Sequence, residues 1–223
     1  MLAKLPREEL EILRPHLEAV EMTHGQPLIQ PNEPIPFVYF PTTALASLVT
    51  VLQDGATVES GSVGCEGVVG LPVLLDAGTT PMQTLIQIPG QAIRTKSDVT
   101  KTIFDRQGAF YNLIHRYIHT LLVVASQSAA CNRHHALKLR LCRWLLMSSD
   151  GVGSEELALT QEFLATMLGV RRSGVTEAAL QLQQEQLITY SRGRIRILNR
   201  ANLEASACEC YQMVKNEFDR LLG

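Results

Sequence analysis

Neither proline nor glycine interrupts the chain from Phe110 to Cys131. Through it, Phe110, Ile114, Tyr117, Leu121, Val124, Ser128 and Cys131 recur in alternating steps of four and three. That rhythm belongs to a long helix with a coiled-coil seam. A second stripe, Leu113, Ile118, Leu122 and Ala125, runs along another side of the same helix. A helix that is apolar on two sides needs two partners. The spacing therefore predicts that Phe110, Ile114, Tyr117, Leu121, Val124 and Ser128 meet a second copy of the chain. The other stripe then covers a neighbouring domain. The competing reading is a helix buried within a monomer.

The long helix separates two textures. Residues 5–20 read as a short helix with Leu10, Leu13, Leu17 and Val20 on one face. Between 21 and about 95, short β-rich runs ("FVYF", "LASLVTVL", "TVESGSV", "TLIQI", "AIRT") alternate with turn signals such as "HGQP", "PNEP", "QDGA", "GCEG" and "IPGQ". This regular spacing predicts a sandwich, jelly roll or barrel. Ser97 or Asp98 then caps a return to helix. Beyond the long helix, Leu137, Leu141, Trp144 and Leu145 mark another helix, ending in a Gly/Ser loop. A polar helix is expected from about Asn202. The fold class is α+β, with a sensor-like β domain over 1–108, a helix and hinge over 109–135, and a small helical domain over 136–223.

Charge divides along the same line. The whole chain carries a formal charge of −2, which looks wrong for a nucleic-acid binder. Residues 1–132, however, hold 8 basic against 12 acidic side chains, whereas residues 133–200 hold 10 against 6. The basic excess lies where "TQEFLATMLGVRRSGVTEAALQL" reads as two short helices around a turn at Gly169. Leu164, Leu168, Val170, Val175 and Ala178 would hold the pair together. Residues 171–177 would then project outward, carrying Arg171, Arg172, Ser173, Thr176 and Glu177. Two cations at a helix N-terminus cost a few tenths of a kcal/mol each, roughly, without a partner. Phosphates reverse that sign. "LITYSRGRIRIL" follows, alternating around Gly193 as a hairpin with Arg192 and Arg194 at its tip. A helix-turn-helix followed by a basic hairpin is a winged helix, whose second helix enters the major groove of double-stranded DNA.

Barrel, long helix and "LTQEFLATMLGVRRSGVTEAALQLQQEQLITYSRGRIRIL" together resemble the Crp/Fnr family of bacterial transcription regulators. The barrel part of the resemblance rests on "GCEGVVGLPVLLDAGTTPMQT". It implies a homodimer with a cyclic-nucleotide-binding-like jelly roll, acting on pseudo-palindromic promoter DNA, with RNA polymerase as a further partner. It places Thr160 and Arg171 at phosphates and Arg172, Ser173 and Glu177 at base edges. Ser173 and Glu177 depart from the residues that the best-known members carry there. Members that bind cyclic AMP use a Gly-Glu pair and a Pro-Arg pair, which correspond here to Gly70-Leu71 and Pro81-Met82. Two hydroxyl residues facing the base correspond to Ala125 and Ser126. Loss of the arginine removes a contact of roughly 1.5–3 kcal/mol. The pocket formed by Gly70, Leu71, Met82, Ala125 and Ser126 is thus expected to be degenerate, with no cyclic nucleotide bound and the effector open.

Other chemistries find less support. A cupin-type enzyme needs histidines inside the barrel, and residues 25–110 contain none. A winged helix used only for protein contacts would not need five arginines on one surface. A metal- or haem-dependent sensor is the remaining variant, yet no cofactor and no metal site is expected. The first cysteine is Cys65, Cys208-Glu209-Cys210 is sparse, and Cys131 reads as a small core residue. His115 and His119 lack a third ligand, and His134 and His135 at the hinge are expected to meet phosphate or solvent. No apolar run is long enough to span a membrane, and five cysteines without a secretion signal point to a reducing cytoplasm.

Overall fold

The computed structural model describes residues 1–53, 55 and 57–223. Two of the residues in the expected "QDGA" turn, 54 and 56, lie outside that description. The chain opens with α1 (Arg7–Leu13), followed by β1 (Glu18–Met22), β2 (Pro27–Ile29), β3 (Phe37–Pro41), β4 (Leu45–Val51) and β5 (Thr57–Val63). After the short α2 (Leu71–Leu74) come β6 (Gln83–Ile88), β7 (Gly90–Lys96) and α3 (Ser97–Phe104). The long α4 (Ala109–His134) leads into α5 (Leu137–Val152), β8 (Glu156–Ala158), α6 (Gln161–Leu168) and α7 (Arg172–Gln184). A hairpin of β9 (Ile188–Ser191) and β10 (Arg194–Ile197) precedes α8 (Arg200–Ala205) and α9 (Cys210–Leu222).

Two antiparallel sheets, ordered β1-β7-β3 and β2-β6-β4-β5, form the N-terminal jelly roll. Phe40, Ile86, Phe110, Ile114 and Tyr117 fill its interior and are at most 2% exposed. The expected strands fall where the alternation placed them. The opening helix does not. It stops at Leu13 because Pro15 cannot donate the next backbone hydrogen bond, and Val20 lies instead in β1. The expected C-terminal helix is likewise two, α8 and α9.

α4 presents three sides rather than two. Phe110, Ile114, Tyr117 and Val124 are buried within the chain, with Val124 facing Gly61 of β5. The side carrying His119, Gln127 and Cys131 lies against α9 and the segment before it, through His119–Glu217, Gln127–Cys210 and Cys131–Cys208 contacts. Leu122, 63% exposed, and the exposed Ala125, Ser126 and Ala129 form the third side. The stripe expected to face a second copy is therefore the one that seals the barrel. Of the stripe expected to cover the barrel, Leu113 and Ile118 pack with its core, whereas Leu122 and Ala125 point outward. Periodicity defines a stripe but not its partner, and both stripes are comparably apolar.

The two main cores interpenetrate. Leu45 and Ile88 of the jelly roll belong to the cluster around Leu141, Leu145 and Leu164, while Leu222 at the C-terminus packs with the barrel cluster. Ser47 and Trp144 both donate to the Glu59 carboxylate, at 2.7 and 2.9 Å, linking β4, β5 and α5. Burial lifts Glu59 to about 7, against the opposing effect of these donors and of Arg143.

Candidate nucleic-acid interface

The hairpin of α6 and α7 is built by local rules. Thr160 caps α6, its hydroxyl accepting from the Phe163 amide at 3.2 Å. Gly169 ends α6 in the left-handed region (φ +64°), which a residue with a Cβ adopts at a cost. Arg140 of α5 donates to the Leu168 carbonyl at 2.5 Å, satisfying one of the free acceptors at that helix end. Leu164, Ala165, Leu168, Val175, Ala178 and Leu182 close the core between the helices.

α7 begins differently. Arg171 occupies its N-cap position with no side-chain cap hydrogen bond. The free amides of the first turn, with the positive end of the helix dipole, make a site for an anion. Arg171, Arg172, Ser173 and Glu177 are all exposed around that end. Arg172 lies 3.9 Å from Glu162, a pair between two exposed side chains and at the limit of contact. Thr176 is placed otherwise than expected. It is half-buried, and its hydroxyl donates to Gln161 at 2.8 Å, so it braces the hairpin. The outward face continues past the expected residues through Leu180, Gln181 and Gln184, which line a shallow groove with Ser173 and Glu177. Their helical spacing from Ser173 was the available signal. Gln is suited to adenine N6/N7.

The wing is a three-stranded sheet ordered β8-β10-β9. Its third member, β8, was not anticipated, being only three residues long. Arg192 and Gly193 form the tip, both at positive φ (50° and 73°), as type I′ turns require. Leu159 donates to the Gly193 carbonyl at 2.8 Å, and the Tyr190 hydroxyl donates to the Leu159 carbonyl at 3.0 Å. These bonds set the tip beside Thr160, so Thr160, Arg192 and Arg194 come to one edge. Arg196 lies on the same exposed face of β10 as Arg194 and pairs with Glu156.

The family's effector positions do not converge. Gly70 precedes α2, and Leu71 and Met82 are half-buried. Ala125 and Ser126 sit on the outward side of α4, away from the barrel. The helix residues that do face β5 are Val124 and Ser128, beside a cavity of only about 40 Å³. A larger cavity of about 310 Å³ lies between β5, α4, α5 and α9. Its charged lining is Glu66, Asp150 and Asp219 against Lys215, an unfavourable set for a phosphate.

The histidines and cysteines separate into two groups. His115 bonds the Tyr111 carbonyl at 2.9 Å and stacks on Phe104, while His119 pairs with Glu217, so the two share no ligand. His135, by contrast, does not face solvent alone. It meets Cys131, Cys208 and Cys210 in one cluster, which corrects the expectation that Cys208 and Cys210 stand by themselves.

Fold and interface define a winged helix-turn-helix protein joined through a long helix to a jelly roll. Residues 139–206 match the Crp-like helix-turn-helix domain. Solved structures share the whole arrangement. FixK2 from Bradyrhizobium japonicum is 15% identical, with 86% of this chain and 98% of that chain covered at a TM-score of 0.70. A CRP-family transcriptional regulator from Thermus thermophilus is 17% identical, with 84% and 96% covered at 0.64. The c-di-GMP responsive global regulator CLP of Xanthomonas campestris is 14% identical, with 87% and 100% covered at 0.63. No curated protein matches the sequence significantly. The chain has the Crp/Fnr fold and carries that family's helix-turn-helix domain. No helix among the described residues is long and apolar enough to cross a membrane.

Proposed function

We propose that this chain is a sequence-specific regulator of transcription that binds promoter DNA as a homodimer, without control by cyclic AMP. The observation that carries the reading is the uncapped, exposed N-terminus of α7, flanked by Arg171 and Arg172 and set beside a basic wing tip. A protein-docking hairpin has no use for free amides and solvent-exposed cations at one edge, whereas a phosphate backbone uses both. The outward side of α4, around Leu122, is the surface available to a second copy, and a two-fold axis there would present two α7 helices to a pseudo-palindromic site. RNA polymerase is the protein partner such a regulator requires.

Selection of random duplexes by the purified protein tests the reading. The expected product is an inverted repeat whose half-sites lie about one helical turn apart, bound with a steep salt dependence. Recovery of no sequence preference would refute specific recognition. For the effector, Leu71 and Met82 replace the acceptor and the cation that a cyclic nucleotide needs, and Tyr117, Phe40 and Phe110 fill the barrel. Titration calorimetry with cyclic AMP and cyclic GMP is expected to show no heat of binding. Micromolar affinity would overturn this part alone.

A further inference from the structure

Three thiols and an imidazole, far apart in sequence, meet where the long helix ends. Cys131 lies on the last turn of α4 and His135 is the residue that follows it. Cys208 and Cys210 come from the segment between α8 and α9 and the start of α9. Cys131 Sγ is 3.5 Å from Cys208 Sγ, and Cys210 Sγ is 3.5 Å from His135 Nδ1. All four atoms lie within 4.8 Å of one another. Tetrahedral zinc with three sulfurs and one nitrogen sets its ligand atoms about 3.5–3.8 Å apart, from bond lengths near ~2.3 and ~2.0 Å. The Cys131–Cys208 and Cys210–His135 pairs are at that spacing, and the whole set lies within 4.8 Å.

The surroundings are those of a metal ligand set rather than of a disulfide. The other ring nitrogen of His135, Nε2, lies 3.2 Å from the Glu209 carboxylate. A carboxylate there fixes the ring and leaves Nδ1 free to coordinate. Gln127 Nε2 donates to Cys210 Sγ at 3.1 Å, as donors do toward bound thiolates. Arg140 and Arg143 lie beside the sulfurs, and their Nε atoms are buried without a hydrogen-bond partner among the described residues. Zinc with three thiolates and a neutral imidazole carries one net negative charge and the Glu209 carboxylate adds a second, which the two guanidinium groups would balance. A Cys131–Cys208 disulfide would account for neither His135 nor the Glu209 contact.

We propose that Cys131, His135, Cys208 and Cys210 form a closed zinc site that pins the end of α4, and with it the hinge into the DNA-binding domain, to the start of α9. Four protein ligands leave no open position, so the metal's role is structural. Binding replaces the three thiol protons with one Zn²⁺ ion, the protons passing to solvent.

Protein purified under reducing conditions without chelator is expected to contain one equivalent of zinc per chain by plasma mass spectrometry. After chelation, Co²⁺ should restore one equivalent and produce the visible bands of tetrahedral thiolate coordination. Cys131→Ser and Cys208→Ser should lose the metal. His135→Cys, which keeps four ligands, should retain it, as should Cys65→Ser and Cys142→Ser, which lie outside the cluster. Chelation should lower the Tm of the wild type but not that of Cys208→Ser. If a ligand variant fails to fold, the wild-type zinc content and cobalt spectrum still decide. Wild-type protein with substoichiometric zinc and no cobalt bands, or with a Cys131–Cys208 disulfide as its native state, would overturn the proposal.

Discussion

Arg171 and Arg172 are adjacent yet begin α7 from different positions, one as its cap and one inside its first turn. Arg171 is extended (φ −72°, ψ 143°) while Arg172 is helical, so their side chains leave the backbone in different directions and are expected to do different work. Arg171→Ala should weaken binding to all DNA and reduce the salt slope by about one ion per subunit. Arg172→Ala should cost roughly 1–3 kcal/mol on the cognate site and much less on random DNA. Affinity for both duplexes over a salt series separates them, and equal losses for Arg172→Ala would make it a second phosphate contact. Glu59 supports a prediction of another kind. Burial raises its carboxyl to about 7 from an ordinary 4.5. Between those values the folded protein keeps a proton that the unfolded chain has released, so stability falls as pH rises from about 4.5 to 7. Glu59→Gln should flatten that decline in a Tm series over the same range. An unchanged slope would show that other groups govern it.

Among the elements, α4 depends on a contact that local sequence does not reveal. Its first two amides, Ala109 and Phe110, donate to the two carboxylate oxygens of Glu9 at 2.5 and 2.7 Å. Glu9 reaches them from α1, a hundred residues away, and its charge also suits the positive end of the helix dipole. Glu9→Ala should destabilise the protein by roughly 0.5–2 kcal/mol, in line with loss of a helix cap. Chemical denaturation provides the measurement, and a loss below about 0.3 kcal/mol would mean that water replaces the carboxylate at no cost. The hairpin α6–α7 is the contrasting element. Its cap Thr160, its turn at Gly169 and its apolar spacing are all local, so it was legible residue by residue. Thr176 was the exception, since its partner Gln161 lies on the facing helix.

For the molecule as a whole, the proposed dimer depends on which side of α4 would meet a second copy. Leu122 is largely exposed, while Val124, two residues on, is 3% exposed against β5. Leu122→Asp should therefore produce a folded monomer that binds its operator weakly, with the isolated subunit intact. Val124→Asp should instead lower the Tm of the subunit itself, because it buries an unpaired carboxylate. Light scattering with thermal denaturation tests both. A Leu122→Asp protein that stays dimeric would place the interface elsewhere.

The amino-acid sequence by itself determined the elements whose causes are short-ranged: the alternating strands of the barrel, the unbroken α4, the helical hairpin with its glycine turn, and the wing. Each rests on periodicity, a cap or a turn residue within a few positions. What those elements face depends on residues far away in the chain. Two stripes of α4 are apolar, and a third side meets α9 and the segment before it through His119, Gln127 and Cys131. Which side faces barrel, α9 or solvent depends on distant segments rather than on the pattern of the helix itself. The same holds for Cys131, His135, Cys208 and Cys210. Cys131 and His135 stand at i, i+4, but two ligands alone do not make a site, and the four become one ligand set only because α9 folds back along the end of α4.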